Sequence, residues 1–331
     1  MSDKIRWGVL STANIGKKAV IPAIQQSHNG EVVAVASRSQ ERARAFADEL
    51  GIEHAYGSYQ DLIDSGTVDA VYNPLPNDDH VPWSVKCAQA GLAVLCEKPL
   101  GMDADNAQQA VDAFAQKDIL LAEAFMYRFH PRYQIVRDLI DSGEIGDLQV
   151  INATFTFSIG DGDNIRLHKQ HGGGGLMDVG CYCISAMRLV TGEEPVTGQA
   201  YARYHPQTDV DMRAAAILSF PSGVLGHFDC GMDTHRTNML DIRGTQGRIR
   251  LDDAFIAGPE DALPVHIWRG TNAPQHEEIP VGAANQYTLM AEEFADALQT
   301  GRQFRYPIAD AVANMRVIDM LRHSARQHAS T

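Results

Sequence analysis

Positive charge is scarce in this sequence. Its 331 residues include 28 Lys and Arg against 42 Asp and Glu, which gives a formal net charge of −14. Binding to nucleic-acid phosphates or to anionic lipid requires a basic surface. The charge therefore argues against nucleic acid and membrane as partners, although it leaves room for a local basic pocket that holds a phosphate.

Cysteine and long apolar runs are also scarce. The five cysteines are scattered and form neither a C-x-x-C pair nor a disulfide framework, which is typical of a reducing compartment. No apolar run approaches the ~20 residues of a membrane span. The N-terminus reaches a predicted strand by residue 5 without an apolar signal region. We therefore expect a cytoplasmic protein.

What the sequence does contain is, first, a regular alternation of strand and helix signals up to about residue 125. Helices of about ten residues separate these strands, and this spacing indicates right-handed βαβ units in a doubly wound parallel sheet. At ~150 residues per domain, the length allows about two domains. The predicted strands are 5–10, 31–36, 55–56, 68–72, 93–96 and 119–123, and the predicted helices include 40–50, 59–64, 83–90 and 104–116.

The pattern changes after residue 125 to β-branched and aromatic runs joined by short turns, as in antiparallel hairpins. Few helical segments follow residue 195 until the helices predicted near 287–298 and 308–326. One face of the sheet should therefore stay uncovered, and we expect a homodimer or higher homo-oligomer through it. The fold class is thus α/β plus α+β, with an N-terminal domain at 1–125 and a C-terminal domain at 126–331 on a large, mostly antiparallel open-faced sheet. The predicted strands of this sheet are 149–158, 198–204, 213–220, 223–231, 238–244 and 248–251.

The first strand ends in a turn of small residues. Aligned on the dinucleotide fingerprint G-x-G-x-x-G, the turn has Ser11, Ala13 and Gly16 at the three glycine positions. Backbone N–H groups at a helix start can still hold a pyrophosphate here, because Ser and Ala are the smallest substitutes. We interpret the first domain as a Rossmann domain, the alternative being a small-residue turn without a ligand. The expected pyrophosphate contacts are Ser11, Thr12, Ala13, Asn14 and Ile15.

The second strand lacks the acid that an NAD-binding domain places there for the ribose 2′-hydroxyl, whereas Arg at this point suits the 2′-phosphate of NADP. The strand ends in Ser37 and Arg38, and Arg42 follows one turn into the next helix. Arg binds phosphate through a bidentate fork. Cations at a helix start oppose the helix dipole, which favours a nearby anion over solvated side chains. We expect NADP rather than NAD, held by Ser37, Arg38 and Arg42.

The fifth strand ends in Glu97, Lys98 and Pro99. Proline stops the strand because it has no N–H for the ladder. Ligands of an open parallel sheet lie beyond the carboxyl ends of its strands. The Glu-Lys pair is therefore interpreted as facing a cleft, with a solvated turn as the alternative.

Five segments together resemble the Gfo/Idh/MocA family of NAD(P)-dependent oxidoreductases. The most similar branch contains glucose–fructose oxidoreductase, xylose dehydrogenase and dihydrodiol dehydrogenase. The departure from the family is Ser11 and Ala13 in place of glycine, at the pyrophosphate. The matching segments are the first turn, Pro74-Leu75-Pro76-Asn77-Asp78-Asp79-His80, Cys96-Glu97-Lys98-Pro99-Leu100, Glu123–Pro131 and Gly172–Tyr182.

The resemblance implies that Lys98, Asp178 and Tyr182 are catalytic and line the substrate pocket, and that the Lys98–Pro99 bond is cis. Asp178 and Tyr182 are four residues apart in a predicted helix after a four-glycine loop, hence on one face. A nearby ammonium stabilises a tyrosine anion, so Tyr182 beside Lys98 would be the base in alcohol oxidation and the acid in reverse. Glu97 is interpreted as holding Lys98.

Other motif positions are expected to contact the cofactor or the substrate. His168, His171 and Asp178 lie on a glycine-rich loop without fixed helical spacing, so we expect no metal site there or elsewhere. The further expected cofactor contacts are Pro74, Leu75, Asn77, His80, Glu97, Lys98 and Arg128, and the expected substrate contacts are Lys98, Arg166, His168, Asp178 and Tyr182.

We therefore expect an NADP-dependent oxidoreductase of carbohydrate metabolism that oxidises an aldose at C1 to its lactone, with the hydride carried by the nicotinamide. One alternative is a trans-dihydrodiol dehydrogenase or keto-sugar reductase that uses the same residues. Another is an aldose–aldose oxidoreductase whose NADP never leaves. A non-catalytic NADP-sensing protein is disfavoured because Lys98 and Tyr182 are both present. The sequence leaves open which sugar or polyol is the substrate and which direction is physiological.

Overall fold

The computed structural model describes residues 4–160, 162 and 164–329. Residues 1–3, part of the N-terminal segment interpreted above, lie outside the described residues. The chain forms two compact units. The first comprises Met1–Met126 and Tyr287–Val312, and the second comprises Tyr127–Gln286 and Ala313–Thr331.

The first unit contains a six-stranded sheet in the order β3-β2-β1-β4-β5-β6, with every neighbouring pair parallel. The central strands β4 and β5 are buried throughout, as expected of a parallel sheet covered on both faces. The predicted doubly wound sheet is confirmed. Its strands are β1 (Ile5–Leu10), β2 (Gly30–Ala36), β3 (His54–Tyr56), β4 (Ala70–Asn73), β5 (Ala93–Cys96) and β6 (Leu121–Glu123).

The second unit contains an eight-stranded sheet in the order β14-β13-β12-β11-β7-β10-β9-β8. The β7–β10 pair is parallel and the other neighbouring pairs are antiparallel, so the sheet is mostly antiparallel, as predicted. Its strands are β7 (Leu148–Ser158), β8 (Thr197–Tyr204), β9 (Asp211–Ser219), β10 (Leu225–Gly231), β11 (Asp233–Gly244), β12 (Gly247–Asp252), β13 (Val265–Arg269) and β14 (Gln275–Ile279).

The helices of the described residues begin at side-chain caps where the sequence offers them. Ser39 and Asp103, for example, accept backbone N–H groups three residues on, which satisfies orphan donors of the first turn. No described helix is both long and apolar enough to cross a bilayer. The α-helices are α1 (Ile21–Gln26), α2 (Gln40–Leu50), α3 (Tyr59–Ile63), α4 (Asn77–Gln89), α5 (Ala104–Ala115), α6 (Pro131–Asp141), α7 (Cys181–Thr191), α8 (Gln286–Thr300) and α9 (Ala309–Ala329).

Helix α4 is longer than the sequence predicts. It begins at Asn77 rather than Trp83 and contains Pro82. Proline near the beginning of a helical pattern reads as a start signal. Asp78 and Asp79 nevertheless favour helix in the turn before it, because their charges complement the helix dipole.

Helix α8 and the residues up to Val312 return to the first unit, whereas the division at 125/126 places them in the second domain. The Phe294 ring lies 4.9 Å from that of Trp7 on β1. The side chain of Asn29 donates a hydrogen bond of 2.6 Å to Asp296. The apolar face of α8 therefore completes the core of the first unit, a long-range contact that no local pattern reports.

The sheet of the second unit has two different faces. Along β9, Ala214, Ala216 and Leu218 are buried, and the residues between them are exposed. Helix α7 packs against β7 and β10 on the buried face. We name the opposite side the open face.

Candidate active site

Four neighbouring strands of the first unit end in the segments that the motifs single out. Because these strands are parallel and adjacent, their carboxyl ends lie along one edge of the sheet, where such folds bind ligands. The structure thus brings the expected cofactor contacts of this unit together. They are Ser11–Ile15 after β1, Ser37 and Arg38 after β2, Pro74–His80 after β4, and Glu97 and Lys98 after β5.

The turn after β1 keeps a glycine-like backbone without glycine. Ser11 has a φ of 101°, a conformation that costs a non-glycine residue about 1–3 kcal/mol. Its Oγ accepts the N–H of Ala13 at 3.3 Å. A π-helical turn over Gly16–Val20 follows and leads into α1. The tight turn and the helix start after it fit a pyrophosphate, so the turn keeps this geometry although Ser11 and Ala13 replace two glycines of the fingerprint.

The corner after β2 is basic. Arg42, in the first turn of α2, donates from Nη2 to Thr12 Oγ1 at 3.2 Å and so links this corner to the β1 turn. Arg38 is exposed and makes no ion pair within the described part of the chain. Ser37 is 4 % exposed, so its side chain is mostly covered. Two guanidiniums beside the turn fit the 2′-phosphate of NADP.

Lys98 lies in a turn that Glu97 and Glu123 hold. The Lys98–Pro99 bond is cis, as the resemblance implies. The Glu97 carboxylate accepts the Tyr72 hydroxyl at 2.7 Å and the N–H of Lys98 at 3.3 Å. Burial, together with the Glu97 charge, raises the pKa of Tyr72, which therefore remains a donor. These contacts make Glu97 a positioning residue.

His80, an expected cofactor contact, is buried against backbone carbonyl oxygens in the structure. It is 1 % exposed, and its ring nitrogens lie 2.8 Å from the carbonyl oxygens of Pro99 and Leu75. Burial lowers the pKa of His80 to about 4, although both carbonyls favour the charged ring. A neutral ring has one N–H and donates to only one of these carbonyls at a time, and only the charged ring donates to both. In either state His80 lies between the loop after β4 and the turn that carries Lys98.

In the second unit, the four-glycine loop closes on the segment before it. A Cβ on Gly173 would lie 2.3 Å from the carbonyl oxygen of Arg166, and that same oxygen accepts the N–H of Gly174 at 3.1 Å. Gly174 has a φ of 122°, which strains any side-chain-bearing residue. Glycine is required here for close approach, and the approach brings Arg166 to the next helix.

That helix does not begin as the regular α-helix of the sequence prediction. Residues Leu176–Gly180 form a π-helical turn before α7, a wider geometry common at functional sites. Asp178 nevertheless accepts Arg166 Nε at 2.6 Å. The pKa of Arg166 is raised, mainly by the charge of Asp178 and to a smaller extent by Tyr182. Asp178, Arg166 and Tyr182 therefore form one group.

The ion pair limits what Asp178 can do. A guanidinium in direct contact stabilises the carboxylate as an anion. An ionised carboxylate accepts hydrogen bonds and donates none. Asp178 is thus suited to accept hydrogen bonds from hydroxyl groups.

Tyr182 is held rigidly among aromatic rings. It is 4 % exposed, and its ring lies 5.2 Å from that of Phe155 in an edge-on contact and 5.7 Å from that of Phe255. Tyr127 lies 5.8 Å away on another side. Such packing fixes the ring direction, which a proton-exchanging group requires.

Arg128 and His168, two further expected contacts, have other neighbours in the structure. Arg128 is 6 % exposed and donates from Nη2 to Ser185 Oγ on α7 at 2.6 Å, so much of its guanidinium faces the interior of the second unit. The ring of His168 is partly exposed, 5.9 Å from that of His171.

Asp211, which no sequence motif marks, stabilises the start of the turn that carries Asp178. Its carboxylate accepts the N–H of Leu176 at 2.6 Å, at the start of the π-helical turn. Burial raises its pKa to about 6. At the first position of β9 it reads as an ordinary polar strand end, so no local signal identifies it.

A parallel nucleotide-binding sheet with a basic corner, joined in one chain to a sheet unit that carries an Asp-Tyr pair, defines an NADP-dependent oxidoreductase. Residues 5–125 match the family model described as oxidoreductase family, NAD-binding Rossmann fold, and residues 133–250 match the GFO/IDH/MocA C-terminal domain. The chain belongs to the Gfo/Idh/MocA family.

Similar proteins agree with this assignment. D-xylose 1-dehydrogenase (NADP(+)) 2 of Haloferax volcanii is 38% identical over 327 residues, 98% of each chain. KijD10, a 3-ketoreductase from Actinomadura kijaniata solved with TDP-benzene and NADP, has a TM-score of 0.89 and 31% identity over 97% of this chain and 98% of that chain. Aldose-aldose oxidoreductase from Caulobacter crescentus, complexed with glycerol, has a TM-score of 0.90 and 25% identity over 98% of each chain. The cofactor is NADP, and the chain belongs to a family of NADP-dependent sugar oxidoreductases.

Proposed function

We propose that this enzyme oxidises an aldose at C1 to the lactone, with NADP as the hydride acceptor. The observation that carries the proposal is the Arg166–Asp178 ion pair at 2.6 Å, with the buried Tyr182 four residues after Asp178. The near full-length similarity to a D-xylose 1-dehydrogenase supports C1 as the reacting carbon.

The proton of the C1 hydroxyl is assigned to Tyr182. When bound, NADP supplies the hydride acceptor, so the chain itself must remove only the proton and orient the sugar. Tyr182, present as the phenolate, accepts that proton at Oη as the C1–O bond becomes a carbonyl. Lys98 is proposed to stabilise the negative charge on oxygen, as an ammonium does for a phenolate or an alkoxide.

Asp178 and its neighbours are proposed to hold the sugar. The Asp178 carboxylate accepts hydrogen bonds from ring hydroxyls, and Arg166 keeps it ionised and aligned. His168, four residues before the glycine loop, offers a ring nitrogen to a further hydroxyl. Binding of this kind favours polyhydroxylated substrates over apolar alcohols.

The test is a panel of pentoses and hexoses incubated with NADP⁺, with the absorbance of the reduced cofactor followed and the product identified as lactone. Turnover that requires added NADP⁺ is expected. Sugar conversion without added cofactor would instead support an aldose–aldose oxidoreductase. Activity confined to trans-dihydrodiols with NADP⁺ would support a dihydrodiol dehydrogenase, and activity confined to keto-sugars with NADPH would support a keto-sugar reductase. No turnover of any of these would support a sensing protein.

A variant pair tests the proton assignment. Tyr182→Phe should lower kcat by ~100-fold or more, in the range for a lost acid–base group, with NADP binding unchanged. Tyr133→Phe is the matched control, because this buried tyrosine donates to the Ala254 carbonyl at 3.1 Å. Equal effects of the two substitutions on kcat would contradict the assignment.

We also propose that a second copy of the chain covers the open face. Tyr201, Ile217 and Leu225 expose 62 %, 58 % and 48 % of their surface there. Arg213 and Asp229 lie on the same face, so a two-fold axis can pair opposite charges. Light scattering at micromolar concentration should show a dimer or higher oligomer, and Ile217→Glu should dissociate it. A monomeric wild-type protein would contradict this.

A further inference from the structure

We propose that the open face carries a binding site for one divalent transition-metal ion of the zinc type, formed by His266 on β13 with His276 and Glu278 on β14. The site lies in the second unit, outside the group around Asp178. It is independent of the proposed oxidation of an aldose, so the two can fail separately.

The ligand atoms already lie at the spacing that a metal requires. His266 Nδ1 is 3.2 Å from His276 Nε2 and 3.6 Å from Glu278 Oε1. All three ligand atoms lie within 4.8 Å of one another. Tetrahedral zinc with bonds of ~2.1 Å places neighbouring ligand atoms about 3.3 Å apart. Two imidazoles and a carboxylate are ligands that zinc accepts, with water in the fourth position.

Strand register makes this arrangement a property of the sheet. His266 is directly opposite Glu278, and Trp268 is directly opposite His276, in the antiparallel β13–β14 pair. Directly opposite side chains share a face with Cβ atoms about 4.5–5.5 Å apart. The three ligands are therefore held by backbone hydrogen bonding and do not depend on a flexible loop.

The rings are held in place by their neighbours. Trp268 stacks on His276 with ring centroids 4.5 Å apart and planes 19° apart. On the other nitrogen of His266, Nε2 lies 3.8 Å from Asp252 Oδ2. This distance is longer than a hydrogen bond, so the carboxylate acts here through its charge, which favours the ring proton on Nε2. With the His266 proton on Nε2, Nδ1 presents its lone pair to the ion.

The surrounding charge also permits a cation. Arg250 is opposite His266 on β12, but its guanidinium bonds Asp252 Oδ1 at 2.7 Å. Arg248, opposite Trp268, is paired with Asp241. Both arginines that face the site from β12 are thus paired with acids, although Asp241 is shared with Arg243, and Glu278 adds a negative charge.

A bound metal ion would link the edge strand β14 to its neighbour β13. β14 is the terminal strand of the sheet order, and its residues up to Glu278 are exposed. An ion held by ligands from both strands closes β14 onto β13, because a site that exists only in the folded state stabilises it when metal binds. Such an ion would also order an edge that is otherwise open to pairing.

The experiment uses the untagged full chain, freed of metal and titrated with Zn²⁺ by calorimetry and with Co²⁺ by visible absorption. We expect one equivalent per chain and the intense bands of four- or five-coordinate Co²⁺. His276→Gln should weaken Zn²⁺ binding at least ~10–100-fold, the cost of losing even an outer-sphere partner. Asp252→Asn should weaken it about tenfold on the same basis. His235→Gln is the matched control, an exposed histidine on β11 that belongs to no such cluster within the described residues.

Hydrogen exchange then locates the ion. Zn²⁺ should slow exchange of the backbone amides of β14 in the wild-type protein and in His235→Gln, and leave them unchanged in His276→Gln. The proposal is overturned if His276→Gln binds Zn²⁺ as tightly as His235→Gln does. It is equally overturned if the slowed amides lie outside β13 and β14.

Discussion

Asp211 provides the sharpest test of how the Asp178 helix is held. A free aspartate titrates near ~3.9, whereas burial raises the pKa of Asp211 to about 6. Because the folded-state pKa is the higher one, protonation of Asp211 stabilises the fold at low pH. That stabilisation is lost as the pH rises from about 4 through about 6. A difference of about two pKa units corresponds to about 3 kcal/mol.

Asp211→Asn removes the charge and keeps an oxygen that can accept the Leu176 N–H. The free energy of unfolding of the variant relative to wild type should therefore increase by up to about 3 kcal/mol from about pH 4 to about pH 8. Urea unfolding followed by circular dichroism across this range measures the difference, in which other titrating groups cancel. Asp141→Asn, on the exposed end of α6, controls for the loss of one carboxylate. A difference between Asp211→Asn and wild type that stays constant with pH would refute the reasoning.

Three further substitutions have defined outcomes. Arg38→Ala should weaken NADP binding about tenfold or more and leave NAD binding little changed, since a charge-assisted hydrogen bond contributes ~1.5–3 kcal/mol. The control Arg44→Ala should change neither affinity, because the Arg44 guanidinium faces Asp48 and backbone carbonyls. Equal losses for both cofactors in Arg38→Ala would contradict the 2′-phosphate assignment. Lys98→Ala should reduce kcat by at least ~100-fold while NADP binding measured by fluorescence stays intact, and near-normal turnover would remove its role. Gly173→Ala forces a Cβ to within 2.3 Å of a backbone carbonyl and should raise KM for the sugar and lower the unfolding temperature, whereas Gly282→Ala, in open space, should do neither.

Local chemistry in the sequence was sufficient to predict the first sheet and the segments at its edge. Apolar runs separated by capped helices predict β1–β6, and the structure bears this out. The E-K-P segment indicates a turn at a strand end, which is where Lys98 lies. The sequence does not predict which residues stabilise that turn, because His80 and Tyr72 contact it from other elements of the sheet domain rather than from neighbouring positions in the chain.

The second unit was harder to predict for the same reason. Strand β14 carries exposed polar residues almost throughout, so it has no apolar alternation to identify it, and β13 and α6 were likewise not predicted. The expectation of no metal site considered only the loop around His168, because His266 and His276 become neighbours only through strand pairing. Helix α8 lies with the first unit through a contact with Trp7 that spans most of the chain, which no local pattern predicts.

Hydride transfer from C1 can be followed directly with an aldose deuterated at that carbon. The enzyme is incubated with the labelled sugar and NADP⁺, and both products are examined by NMR. The account predicts lactone and reduced cofactor in equal amounts, with the deuterium on the nicotinamide ring. Deuterium that remains in the sugar product, or reduced cofactor formed without the label, would contradict it.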